Sequence, residues 1–206
     1  MSLFGAKQIH PRTFEPLLTK KIPMRIRNTF NFKNEGTLVT ASPDADTKKT
    51  VKCVSAIRHS ALIDVRGGSM VGTPGTAAKI FTTLAKAGVN VMMISQNPSE
   101  SSITIVVKNT DLDKAVNSLE MELLGKIIKK LEVTTNVAII ALIGSGMRGT
   151  IGVASRVFGA VTKKKVNVVV ITQGSSELHL AFVVKDSDCK SAVNALHDEF
   201  ELAKTN

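Results

Sequence analysis

Two short loops carry the polar chemistry of this sequence. Gly72-Thr73-Pro74-Gly75 and Gly149-Thr150-Ile151-Gly152 each lead into an apolar-periodic stretch that reads as a helix. Backbone N–H groups at a helix start have no intrahelical partner and favour an anion such as a carboxylate. Gln96 and Gln173 close the strand that follows each helix, with Ser99 and Glu100 in the next turn of the first copy. A glutamine amide both donates to and accepts from a hydroxyl or an amino-acid head group. One glycine-rich loop alone would be read as a tight turn, and that reading stays open. Two copies, each with its glutamine, point equally to a small-molecule site. The candidate binding residues are Met70, Gly72, Thr73, Pro74, Gly75, Thr76, Ala77, Asn90, Val91, Met92, Gln96, Ser99 and Glu100 in the first copy. In the second they are Met147, Gly149, Thr150, Gly152, Asn167, Val168 and Gln173.

No catalytic constellation accompanies them. His10, His59, His179 and His197 lie in four different contexts, and no Cys or carboxylate is spaced to complete a metal site. His179 falls in a strand where the first copy has Ser102, so a solvent-facing or hydrogen-bonded strand residue is the default. Asp64 and Arg66 alternate with Ile63 and Val65 and read as a surface ion pair. Cys53 and Cys189 are in no redox or metal spacing, which fits reduced thiols in the cytoplasm.

The elements that must hold these residues occur twice. Shifted by 77, the sequence overlays itself without a gap, and 22 of 50 positions from Met70/Met147 to Leu119/Leu196 are identical. The identities fall on glycines, apolar positions and a few polar loop residues, so one backbone path is built twice. Pro74 suits a first helical turn with Thr73 as cap. Ala77, Ile80, Phe81 and Leu84 share one face, and Gly88 ends the helix. Val89 to Ser95 and Ile103 to Val107 form a hairpin around Asn97-Pro98-Ser99-Glu100. Asp111 opens a second helix with Leu112, Ala115, Val116 and Leu119 inward, and Ile127 to Val133 is one more strand. The pattern is βαββαβ, a ferredoxin-like unit of α+β class.

The second unit runs from Val137 to a helix between Asp188 and about Leu202, and no closing strand is left. Val51 to Ile57, ahead of the strand Ala61 to Gly67, is a spare strand. An unclosed sheet exposes an unpaired edge. The spare strand is therefore expected to close the second sheet, with the first unit inserted in the second. The division is 61–134 for the first unit and 51–57 with 135–206 for the second. Residues 41–50 form a polar linker.

Residues 1–40 differ from the rest. Phe4 to Lys20 reads as a short helix broken by Pro11, Ile22 to Asn28 as a half-buried strand, and Asn31 to Gly36 as a turn. Too few apolar residues are present for a core, so the segment belongs to a larger body. The chain's net charge of +10 is concentrated here: residues 1–60 hold 11 Lys+Arg against 4 Asp+Glu, leaving 16 against 13 for the remainder. A basic arm can meet nucleic acid, but the chain has no Trp and no Tyr for base stacking, and a solvated or anion-handling face is the better reading. The longest apolar run, Val137 to Ile143, is too short to span a bilayer, and no signal peptide is visible.

The loop-helix-strand pattern of residues 51–202 resembles an ACT domain, a small amino-acid-sensing module. Phe4-Gly5-Ala6-Lys7-Gln8-Ile9-His10-Pro11-Arg12-Thr13, with Ile26 to Phe30 and Gly36-Thr37, resembles the end of the aspartate kinase catalytic domain. Together they are similar to the C-terminal regulatory region of the aspartate kinase family, with its tandem ACT pair. The resemblance implies one ACT unit inserted in the other and side-by-side pairing of subunits into a homodimer. It also implies an end-product amino acid at such interfaces as a feedback inhibitor. In the full-length enzyme it implies phosphorylation of the aspartate side chain with ATP and magnesium. Only Lys7 and Gln8 match positions near the family's nucleotide site. The Lys-Phe-Gly-Gly signature and the acidic metal-binding segments are missing, so this chain alone is expected to be inactive and to carry no cofactor. Lysine-sensing relatives have an acidic residue after the first helix, where this chain has Met92, and threonine-sensing relatives have glutamines at Gln96 and Gln173. Threonine is thus the expected ligand and lysine the alternative, with Glu100 able to serve a lysine ammonium. A free-standing sensor with a basic arm and a ligand-free dimerisation module are the competing classes.

Overall fold

Strand formation in this chain is dominated by two long apolar stretches. The structure, a computed structural model, describes residues 9–40 and 49–204. β3 (Cys53–Arg66) and β6 (Lys130–Ile143) run antiparallel beside one another, 14 residues each. The sequence suggests two strands in each stretch, and the structure fuses them. Between the halves, His59 (φ 57°) and Asn136 (φ 56°) adopt left-handed backbone, and the register shifts between Ile57 and Ser60. A single left-handed residue makes a bulge that bends a strand without ending it. The two bulges stand at equivalent places in the repeat.

The bends give each long strand two roles. Ser60–Arg66 pairs with β5 (Ser102–Lys108), which pairs with β4 (Met93–Gln96). Val137–Ile143 pairs with β8 (His179–Lys185), which pairs with β7 (Val170–Gln173). The sheet order is β4-β5-β3-β6-β8-β7. The half of β3 from Cys53 to Ile57 lies against Ile139–Ile143, beside the second copy's strands. The path into each fourth strand is equally tight. A Cβ at Gly144 would sit 2.2 Å from the Thr50 carbonyl oxygen, and one at Gly67 would sit 2.4 Å from that of Ile127. Only glycine allows those approaches. The result is two ferredoxin-like units, the first inserted in the second.

Alternation along the strands builds three cores. Ile63, Val65, Ile103, Ile105 and Val107 face α2 (Thr76–Lys86) and α3 (Leu112–Leu123), meeting Ile80, Leu84, Ala115 and Leu119. Ala138, Ile140, Leu142, Leu180, Phe182 and Val184 face α4 (Val153–Lys163) and α5 (Cys189–Glu199). The opposite faces of the two halves of this sheet share a third core, in which Leu62, Met93 and Val106 meet Val137, Ile139, Ala141, Ala181 and Val183. The sheet, bent at its bulges, therefore folds its halves onto each other, with helices outside.

The N-terminal part has α1 (Phe14–Thr19), preceded by a 3-10 turn over Pro11–Thr13, and a small sheet of β1 (Met24–Ile26) and β2 (Thr37–Val39). α1 buries no residue, and Phe30 and Phe32 are exposed. The expected helix from Phe4 thus begins only at Phe14 within the described residues; Phe4 to Gln8 and most of the 41–50 linker lie outside them. Among the described residues no helix is long and apolar enough to cross a membrane.

Candidate functional site

Each copy encloses a cavity where its first helix begins, between the preceding loop and the ends of two strands. The first, about 320 Å³, is lined by Met70, Gly72, Thr73, Pro74, Gly75, Thr76, Ala77, Gln96, Glu100 and Ile103. The second, about 240 Å³, is lined by Met147, Thr150, Gly152, Val153, Ala154, Gln173, Glu177 and Leu180. The second set is the first moved by 77, wherever both contribute. Ligand clefts span about 300–1,000 Å³, so these fit something small.

The loops hold their shape by local bonds. Gly75 (φ 84°) and Gly152 (φ 85°) are the N-caps of α2 and α4 in the left-handed region, where glycine is at home. α2 begins at Thr76, so Thr73 and Pro74 precede the helix rather than capping and opening it. The reason is that the left-handed Gly75 turns the chain first. The Thr73 hydroxyl donates to the Ser69 carbonyl (2.8 Å), and that of Thr150 to Gly146 (2.7 Å). Thr76 adds a third brace, donating to the Thr73 carbonyl (2.9 Å); its counterpart, Val153, has no hydroxyl. The Thr73 N–H bonds the Met70 carbonyl (3.3 Å) and that of Thr76 the Thr73 carbonyl (3.4 Å).

Among the described residues the one charged side chain on each cavity wall is a glutamate. The Gly72 N–H donates to Glu100 Oε2 (2.9 Å), and the Gly149 N–H to Glu177 Oε2 (2.6 Å). Both glutamates sit at φ 56°, uncommon for a residue with a side chain.

Not every candidate residue reaches a cavity. Asn90 and Asn167 are exposed, and Val91 and Val168 pack on the helix-side cores. Met92 packs against the core between the sheet's two halves, with Met93 buried in it, so neither neighbours the cavity. Met92 immediately precedes β4, at the opposite end from Gln96, which meets the loop. Ser99 bonds Ser101 and the Asn97 side chain instead of lining the wall. Lys7 and Gln8 lie outside the described residues. Missing from the candidate set were Ile103, Leu180, Val153, Ala154 and Glu177. Glu177 was legible, because the shift of 77 carries Glu100 onto it.

Elsewhere, Asp64 and Arg66 form an ion pair at 2.6 Å, joined by Glu132. Arg58 pairs with Asp186, whose carboxyl the guanidinium holds below its ordinary range despite partial burial. Burial pushes the thiols of Cys53 and Cys189 up.

The model of the ACT domain family matches residues 63–123 and 140–200. The whole chain is 38% identical over 213 residues to the bifunctional aspartokinase/homoserine dehydrogenase 1, chloroplastic, of Arabidopsis thaliana, covering 23% of that protein. The chain thus spans about a quarter of the length of such curated relatives. Solved structures of aspartate kinases are similar, two of them as follows. The regulatory subunit of aspartate kinase from Thermus thermophilus, in its ligand-free form, has a TM-score of 0.66 and 28% identity, over 74% of this chain and 99% of that one. E. coli aspartokinase III in complex with lysine and aspartate has a TM-score of 0.79 and 28% identity, over 97% of this chain and 44% of that one. Doubled cavities, stacked sheet halves and these likenesses agree: the chain belongs to the ACT domain family, in the tandem arrangement of the aspartate kinase regulatory region.

Proposed function

We propose that this chain senses an end-product amino acid for an aspartate kinase, binding it in the two cavities beside Gly72 and Gly149. The observation that carries the reading is the repetition of one cavity, with glutamine, glutamate and loop N–H groups at the same places in both copies. A turn glycine alone has no reason to keep a glutamine and a glutamate around it twice. On this reading residues 1–40 are the end of the kinase domain, with Lys7 and Gln8 near its nucleotide, and 41–50 link it to the ACT units, 61–134 and 51–57 with 135–206. The whole enzyme would phosphorylate aspartate with ATP and magnesium, and the chain alone would not, since phosphoryl transfer needs metal and nucleotide held together. The ACT units also supply a homodimer contact. Edge strands β4 and β7 leave Ile94 and Ile171 exposed beside unpaired backbone, a template for a second chain.

Threonine is the favoured effector. Gln96 and Gln173 stand on the cavity walls, where an amide can meet a hydroxyl. Met92 carries no part of this preference, because it lies away from the cavity. Lysine is the second reading, and Glu100 on the wall favours it by offering an ammonium a carboxylate. Calorimetry with threonine and lysine decides. Threonine is expected to bind, and Gln96→Ala with Gln173→Ala to weaken it about tenfold, the scale of one neutral hydrogen bond. Lysine binding with threonine silent would reverse the assignment, and neither binding would remove the sensor reading.

A further inference from the structure

In both copies the cavity is already engaged by an anion of the chain itself. The Glu100 carboxylate takes the Gly72 N–H and the Glu177 carboxylate takes the Gly149 N–H. Each glutamate closes a tight turn, its own N–H bonded to the Asn97 carbonyl (2.8 Å) or the Gly174 carbonyl (2.9 Å). Each does so at φ 56°, where a glycine would be the ordinary occupant. A residue held twice against its backbone preference is there for its side chain. Among the described residues no Lys or Arg is on either cavity wall, so nothing cationic among them awaits a ligand carboxylate there. An incoming carboxylate meets the glutamate's own charge and competes with it for the loop N–H.

We propose that Glu100 and Glu177 cap their cavities when empty and turn to the ammonium of a bound amino acid when its carboxylate takes over the loop N–H. This rests on the amino-acid-sensing reading and adds the rule by which the site selects. A zwitterion can exchange with the cap, because it brings an anion for the N–H and a cation for the released glutamate. A carboxylate without the α-ammonium would have to displace the cap and leave two like charges facing each other in a small space, so it is excluded. An amine without the carboxylate leaves the cap where it is and gains one contact only. The cavity thus reads the head group as a pair of charges, and Gln96 or Gln173 is left to read the side chain.

The test is calorimetry on the full chain with the amino acid that binds and its counterpart lacking the α-amino group: 3-hydroxybutyrate for threonine, 6-aminohexanoate for lysine. In the wild type the amino acid binds and its counterpart does not. In Glu100→Gln/Glu177→Gln the amino acid loses about tenfold or more and the counterpart gains a similar factor, the scale of one charge-assisted hydrogen bond. Glu100→Gly/Glu177→Gly, which suits the left-handed backbone and so folds, is expected to behave alike. In the ligand-free protein, amide exchange at Gly72 and Gly149 speeds up in the glycine variant. If the amino acid binds both variants as it binds the wild type and the counterpart stays silent, this inference is overturned while the sensor reading stands. If no amino acid binds the wild type, the sensor reading falls and this inference with it, whatever the amide exchange.

Discussion

Asp186 illustrates how much one residue can tie together. Its carboxylate accepts from Nε and Nη2 of Arg58 and from the His59 N–H, which joins the bulge of β3 to the end of β8. The Asp186 side chain is 15% exposed and that of Arg58 53%, so water screens the pair in part. The hydrogen bond from Arg58 is the main cause of the lowered carboxyl pKa. A carboxyl lowered on folding adds stability above its unfolded value, here ordinarily 3.8, and loses it as pH falls through the lower folded value. Asp186→Asn is therefore expected to lower Tm at neutral pH, with the gap to wild type closing in acid below that range. A gap independent of pH would show that the carboxylate charge is not what matters. The first copy has Asn109 at this place, with its side-chain oxygen buried and unpartnered among the described residues. The repeat keeps the backbone there and not the ion pair.

At the scale of elements, the two copies of the first helix end differently. α2 ends at Gly88 (φ 70°) and α4 at Lys165 (φ 57°), with matching bonds from Val89 to Leu84 and from Val166 to Val161. Both are Schellman ends that call for left-handed backbone. A side chain there costs about 1–2 kcal/mol relative to glycine. Lys165→Gly is expected to raise stability by about 1 kcal/mol and Gly88→Ala to lower it by a similar amount. Denaturant unfolding checks both, and opposite signs for the two are the decisive outcome. Neither change touches a cavity wall, so effector affinity should stay as it is.

For the whole molecule, the core between the sheet's two halves makes the two units one body. Ile139 (4% exposed) and Val183 (0%) from the second unit meet Leu62 and Val106 from the first. Ile139→Ala removes buried volume from both at once and is expected to cost about 2–5 kcal/mol. The loss should appear as one shifted transition, seen identically by probes in either unit. Two separate transitions would mean that the units unfold independently. For the same reason residues 61–134 expressed alone should not fold stably. They would expose Leu62, Met93 and Val106, and a unit of that size has little core to spare.

The sequence by itself determined what is local and periodic. The shift of 77 gave two copies, the 3.6-residue period gave the helices, and the alternation of apolar residues gave the strands. The spare strand from Val51 was legible because a ferredoxin-like unit has a fixed number of strands, and one unit lacked its last. The loop residues and both glutamines were legible because each sits at a fixed offset from a glycine in both copies. Tertiary structure decided what depends on contacts distant in sequence. That β3 and β6 are single bent strands turns on left-handed His59 and Asn136, residues that also favour an ordinary turn. That Met92 packs against the core between the sheet's two halves, away from the cavity wall, follows from the folding of those halves onto each other, which no alternation within one strand reveals. That Glu100 and Glu177 bond the loops depends on bringing together groups 28 residues apart in each copy. Periodicity encodes which face of an element is buried; which other face it meets is fixed only when the whole chain packs.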